Sequence, residues 1–221
     1  MHTNPVGVFL PRLPPGVPRA LALAFARADR VPTGASGELT AVTGFANAWE
    51  RRTGLATRRA RATRLYRLGR LLPPTGVPGA AQTAGAGDLD LVRDWFGRFA
   101  LESAGASVDP AEHAEAADRK VANGEVRVWT VDDRPVSTAS VSAAAVGVAR
   151  IGPVFTPAAD RGHGYAAAVT AVAAADARAA GAAQVVLYAD LANPTAGGVY
   201  RRIGFVPEFD ADHVTFEPAV R

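Results

Sequence analysis

Apolar side chains recur at three- and four-residue intervals in the first third of the chain. Leu21, Leu23, Ala24 and Phe25 predict a short helix over residues 19–28. Leu39, Val42, Phe45, Ala46 and Trp49 form one stripe over residues 37–52, and Gly54 supplies the stop. Ahead of them Pro5, Pro11, Pro14, Pro15 and Pro18 argue for little regular structure before Pro18. Residues 58–68, with Leu65, Tyr66 and Leu68, read as a strand. Residues 73–87, PPTGVPG followed by alanines and two further glycines, carry no period and read as a linker. That places a boundary near residue 80, between an N-terminal region 1–80 and a second domain 81–221.

The second domain has clearer punctuation. Asp88 is placed to cap a helix whose core face is Leu91, Val92, Trp95, Phe96 and Phe99. Asp109, Pro110 and Glu112 mark the start of another, which ends near Val121 and Ala122. Residues 126–131 and 135–142 flank a turn at Asp132, Asp133 and Arg134, and residues 146–155 add a third strand through Val146, Val148, Ile151, Val154 and Phe155. The meander runs into a glycine-rich turn at residues 161–166, an alanine-rich helix over 164–180, and the apolar run Val185, Val186, Leu187 and Tyr188. A run apolar on both faces belongs inside a sheet beside a parallel neighbour. Asn193 and Pro194 then start a last helix carrying Tyr200, ended by Gly204. The order predicts a mixed α/β sheet covered by helices. A doubly wound dinucleotide-binding domain does not fit, because too few residues follow for further crossover units.

The turn Arg161, Gly162, His163, Gly164, Tyr165 and Ala166 follows a strand and opens a helix, the setting in which such a turn holds phosphate. Glycines admit positive φ, and the first turn of the helix offers unpaired N–H groups at the positive end of its dipole. The alternative is a tight connection with no ligand. Ala167 stands where a nicotinamide-binding fingerprint needs its third glycine, and no P-loop pattern occurs. Tyr200 suits a general acid beside a thiolate, or simple packing.

Composition narrows the chemistry. With no cysteine among 221 residues, disulfides, thiolate metal sites and a cysteine nucleophile are excluded. His2, His113, His163 and His213 lie far apart, so no metal site is expected. Ser103, Ser107, Ser137, Ser140 and Ser142 sit in no nucleophile elbow. Glu102, Glu125 and Asp190 are available carboxylates, none singled out as a general base. No apolar run approaches the roughly 20 residues that span a bilayer, and the start lacks a secretory pattern, so a soluble cytoplasmic protein is expected. The formal charge of +3 conceals +9 on residues 1–75 and −6 on the remainder. Arg58, Arg59, Arg61, Arg64, Arg67 and Arg70 are the densest basic stretch. They suit nucleic acid or, more simply, a solvated face paired with the acidic second part. The absence of aromatic interleaving favours the simpler reading.

Two motifs in order carry a family resemblance. Arg161-x-x-Gly164-x-Ala166 resembles the [Q/R]xxGx[G/A] signature of the GNAT superfamily of acyl-CoA N-acyltransferases, and residues 193–205, NPTAGGVYRRIGF, resemble its Asn…Tyr-x-x-x-Gly-Phe ending. The likeness covers about residues 87–221. Residues 40–80 resemble the region ahead of it in a two-part subgroup of predicted acetyltransferases, here with a shortened N-terminal part. The resemblance implies an antiparallel meander followed by a parallel pair, with acetyl-CoA as co-substrate and no metal. It implies that Val154, Phe155 and Thr156 offer backbone groups to the pantetheine arm and the acetyl carbonyl. Residues 161–166 would bind the pyrophosphate, Asn193 would contact the arm, and Tyr200 would protonate the departing thiolate. The acceptor would be a primary amine on a small molecule or a protein, and the alternative function is a non-catalytic acyl-CoA-binding or regulatory module. Self-association as a homodimer is compatible with the resemblance.

Overall fold

The computed structural model describes residues 7–104 and 110–218. In chain order the elements are β1 (Val8–Leu10), α1 (Val17–Arg27), β2 (Gly34–Glu38), α2 (Leu39–Thr53), β3 (Ala56–Leu68), β4 (Ala80–Thr83), α3 (Leu89–Ala104), α4 (Pro110–Ala122), β5 (Val126–Val131), β6 (Arg134–Val141), β7 (Val148–Phe155), α5 (Tyr165–Ala179), β8 (Gln184–Asp190), α6 (Pro194–Arg202) and β9 (Phe205–Glu217). They sort into two compact units. The first draws on the chain up to residue 65, on 190–192 and on the chain from 209; the second holds 66–189 and 193–208.

In the first unit β1 runs parallel to β2, and β2 antiparallel to β9, with Ser36 opposite His213. The stripe foreseen on α2 packs inward: Val42, Phe45, Ala46 and Trp49 are buried, and the Phe45 ring stacks on Trp49 and Phe216, each at 6.1 Å. Glu38 caps α2, accepting the Ala41 N–H at 2.9 Å, and Gly54 closes it at φ 73°. One expectation fails in this region, and one element was not foreseen. The proline-rich opening contains β1 and the start of α1, and residues 34–38, GASGE, form a strand without one large apolar side chain. At Gly37 a Cβ would lie 1.9 Å from the Leu10 carbonyl, so β1 and β2 approach as only glycine permits.

The second unit is a mixed sheet in the order β4-β5-β6-β7-β8, antiparallel as far as β7 and parallel from β7 to β8. Alternation along β5 sorts its side chains between two layers. Val126 and Val128 share a core with Val92 and Phe96 of α3 and Ala117 of α4, while Trp129 joins the core of α5. Arg127, on the α5 side, binds Asp176 of that helix at 2.6 Å. The alanines of α5 present almost no bulk, so the helix lies close against the sheet with Val169, Ala173 and Ala174 excluded from solvent.

Three local expectations change here. Residues 73–87 are not a plain linker: β4 pairs with β5, and the Trp129 indole N–H donates to the Pro78 carbonyl at 2.8 Å. Asp88 does not cap α3; it ends a 3₁₀ turn at Ala86–Asp88 and accepts the Gly85 N–H at 2.9 Å. The third meander strand begins at Val148, because Val146 sits at φ 50°, fully exposed in the turn before it. Asp109 and Ser107 lie outside the described residues. No described helix is long and apolar enough to cross a membrane.

Candidate functional site

The site begins where two parallel strands part. Pairing between β7 and β8 runs from Val148 opposite Gln184 to Ile151 opposite Leu187 and goes no further. Yet β7 continues to Phe155 and β8 beyond Ala189. The departing end of β7 stays with β6 instead, Thr138 facing Phe155 and Ala139 facing Val154 across a register shift. Buried hydroxyls hold it there. Ser140 donates to the Gly152 carbonyl and Ser137 to the Phe155 carbonyl, at 2.5 and 3.0 Å. The sequence pointed to these serines only as unsuited nucleophiles. Their signal was hydroxyls at 137, 138 and 140 in a strand whose other interior positions are apolar.

Beyond the strand the chain makes one 3₁₀ turn at Ala158–Asp160, extends at Arg161, and takes positive φ at Gly162 (87°) and Gly164 (86°). Gly164 is the N-cap of α5 and brings no capping side chain; the first intrahelical bond is Ala168 N–H to the Gly164 carbonyl at 3.0 Å. The N–H groups of Gly164, Tyr165, Ala166 and Ala167 therefore have no backbone or capping partner among the described residues. Such a cluster at the positive end of a helix attracts an anion. A Cβ at Gly164 would come 3.1 Å from the Val77 side chain, whereas around Gly162 there is open space.

Flanking side chains stiffen the turn. Arg161 donates from Nε to the Thr156 carbonyl at 3.0 Å and from Nη2 to Glu102 of α3 at 2.6 Å. His163 stacks on Tyr165 at 5.5 Å, with its Nδ1 3.3 Å from the Asp160 carbonyl. Asp160 is buried beneath the turn, its carboxylate neutralised by Arg134 at 2.7 Å. Hydrogen bonding to Asp160 raises the Arg134 guanidinium above its already high value. On the α3 side Trp95 packs on the Phe155 ring at 5.9 Å and Arg98 lies over it at 5.1 Å. These α3 contributions were not foreseen, since nothing local in the sequence ties residues 95–102 to the turn.

Asn193 caps α6, its Oδ1 accepting the Ala196 N–H at 3.1 Å, with Pro194 in the first turn as expected. Asn193 itself is exposed. Tyr200 is buried on α6 between Tyr66 and Phe205, at 6.3 and 6.2 Å between rings. Burial, and then Tyr66, push its hydroxyl up to about 12. Gly197 on the same helix is the reason the rings fit: a Cβ there would lie 2.7 Å from the Tyr66 hydroxyl. Thus residues 154–166 form one continuous wall, and Asn193 and Tyr200 stand on the helix after β8. No hydrogen bond or ring contact among the described residues links the two groups. Nor does any set of three or more His, Asp or Glu side chains suited to a metal ion occur among the described residues.

The acetyltransferase (GNAT) family model matches residues 89–205, from α3 to the start of β9. No curated protein matches the sequence. Among solved structures, the fold is similar to a GCN5-related N-acetyltransferase from Sphaerobacter thermophilus, with a TM-score of 0.65 at 18% identity over 100% of this chain and 76% of that one. A GCN5-related N-acetyltransferase from Kribbella flavida gives 0.61 at 24% identity, over 96% and 79% of the two chains. A GNAT-family acetyltransferase from Colwellia psychrerythraea gives 0.61 at 15%, over 93% and 75%. At these identities the likeness is one of fold. The family match, in contrast, spans more than half of the chain and takes in the parted strands and the glycine turn alike, so the protein belongs to the GNAT family of acetyltransferases.

Proposed function

We propose that this acyltransferase moves an acetyl group from acetyl-CoA to a primary amine, by direct attack of the amine and without an acyl-enzyme. The observation that carries the reading is the parting of β7 from β8 after Ile151 and Leu187, beside a helix start whose N–H groups lack partners. Acetyl-CoA, when bound, supplies the acyl group already activated as a thioester. The backbone of residues 161–166 would hold its pyrophosphate, with Gly162 and Gly164 giving the close approach and the α5 dipole adding to the attraction. Backbone groups of residues 154–156, at the end of β7, would serve the arm and polarise the acyl oxygen. The Asn193 side chain would contact the same arm.

Tyr200 would hold the proton that the leaving sulfur takes up. Its burial keeps the hydroxyl protonated throughout the neutral range, so the donor form is always present. Calorimetric titration with acetyl-CoA, followed by thiol release on adding a panel of primary amines, tests the assignment. Saturable binding with amine-dependent release is expected. Absence of binding overturns it, and binding without release on any amine would make the protein a non-catalytic acyl-CoA-binding module.

A further inference from the structure

The strands that part present two faces, and only one of them is closed by α5. Ala149 and Ile151 of β7 and Leu187 and Ala189 of β8 join the core beneath that helix, with Val169 and Ala173. Alternation therefore puts Arg150 and Tyr188 on the opposite face of the sheet. On that side α3 covers the end of β7, where Trp95 and Arg98 meet the Phe155 ring. Farther back along β7 the face is open, with Val148 40% exposed and Arg150 exposed beside it. Tyr188 directly follows Leu187, the last residue of β8 that pairs with β7, so it stands at the lip of the opening. The Arg150 guanidinium carbon lies 5.2 Å from the centre of the Tyr188 ring.

Other arginines of this unit are committed. Arg127, Arg134 and Arg161 each meet a carboxylate, and Arg178 meets the Gly69 carbonyl. The Arg150 side chain has no oxygen partner among the described residues; its one contact of note is the ring. Attraction to a ring steadies a guanidinium without engaging its N–H donors on an oxygen, so the fork stays available to a ligand. Its charge also sorts what can approach. A simple amine is an ammonium ion in neutral water, and an unpaired guanidinium beside the parted strands repels it. An amine that carries its own carboxylate turns that repulsion into attraction, and a carboxylate matches the guanidinium fork in shape and in charge. A phosphate, with nearly two charges, calls for a second cation. Arg98, the other arginine over an aromatic ring on this face, already has Asp94 at 3.6 Å.

We propose that the acyl acceptor is a small amine that also bears a carboxylate, and that Arg150, steadied by Tyr188, selects it by binding that carboxylate. The inference rests on the acetyl transfer read above and names the class of its acceptor. Thiol release from acetyl-CoA is followed with glycine, β-alanine and 4-aminobutyrate, each against its own amide, which keeps the amine and loses the charge. The acid whose length fits should show a KM at least about tenfold below that of its amide. Arg150→Gln should erase the preference by raising the KM of the acid, with acetyl-CoA affinity by calorimetry as in the parent. Arg150→Lys keeps the charge without the fork and should restore part of the preference. No acid preferred over its amide, or a preference that survives Arg150→Gln, would overturn the proposal; so would O-phosphoethanolamine outdoing all three acids. Should no amine release thiol, acetyl transfer itself fails, and calorimetry of the CoA-saturated protein with the three acids still decides the role of Arg150. Saturable binding that is lost in Arg150→Gln upholds the carboxylate site, and no binding of any acid overturns it.

Discussion

Tyr200 couples stability to alkaline pH as well as serving the proposed proton transfer. Its hydroxyl stands near 10 in an unfolded chain and at about 12 in the fold, raised by burial and then by Tyr66. Below pH 10 both states keep the proton and the group is silent. Between pH 10 and 12 the unfolded chain loses it first, so stability falls as pH rises, by roughly 2–3 kcal/mol across the window. Tyr200→Phe preserves the ring contacts and should flatten that part of a urea-denaturation series at pH 9, 10, 11 and 12. The same variant should lower amine acetylation by about 10²–10⁴-fold with acetyl-CoA affinity unchanged, in the range found when a general acid is lost. Ionisation of Tyr200 in the free protein should also place no alkaline limb on the rate below about pH 11. The turn glycines make a second residue-level case. Alanine at φ near +86° costs about 1–2 kcal/mol, and at Gly164 the new methyl also presses on Val77. Both Gly162→Ala and Gly164→Ala should therefore lower the urea midpoint, Gly164→Ala the more, and both should weaken acetyl-CoA binding by calorimetry.

Helix α6 carries two adjacent glycines, a pairing that at sequence level argues against a well-formed helix. The fold separates their roles. Gly197 makes room for the Tyr66 hydroxyl, whereas a Cβ at Gly198 would meet only Arg202 at an ordinary 3.6 Å. Gly198→Ala should gain up to about 1 kcal/mol of helix propensity, while Gly197→Ala should lose about 1–3 kcal/mol by overpacking a buried ring. Opposite shifts in thermal unfolding check the pair; equal shifts would mean that Tyr66 moves aside freely. The same contrast shows which elements could be read in advance. The turn at residues 161–166 and the Asn193 cap were legible because glycine, asparagine and proline act within a few bonds of themselves. Strands β2 and β4, GASGE and AAQT, were not, because neither contains a large apolar side chain and each is held only by its neighbours. The parting of β7 and β8 was not legible in any single stretch, since it depends on where two distant segments stop pairing and on serines of a third.

Across the whole molecule the charge asymmetry was plain in the sequence, but not the use made of it. Arg58, Arg59, Arg64 and Arg67 along β3 bind Glu217, Asp212, Asp210 and Glu208 of β9, partners 141 to 159 residues away in the chain. Each exposed pair contributes little, because solvent screens it. Arg64 with Asp210 is the most informative of them: two nitrogens meet two carboxylate oxygens, and both side chains are 31% exposed. The hydrogen bond from Arg64 outweighs burial and holds Asp210 below its ordinary value. A depressed carboxylate contributes stability that is complete above the unfolded value near pH 4 and is lost as pH falls through the folded one. Asp210→Asn should therefore cost on the order of 1 kcal/mol at pH 6, and the urea midpoints of variant and parent should converge as pH is lowered through 4 towards 3. Added salt at pH 6 should narrow the gap only partly, since a pair two-thirds withdrawn from water is less screened than one at the open surface. No gap at pH 6 would show that the Arg64–Asp210 ion pair contributes nothing to stability and that Arg64 is held on β3 by packing of its stem instead of by charge.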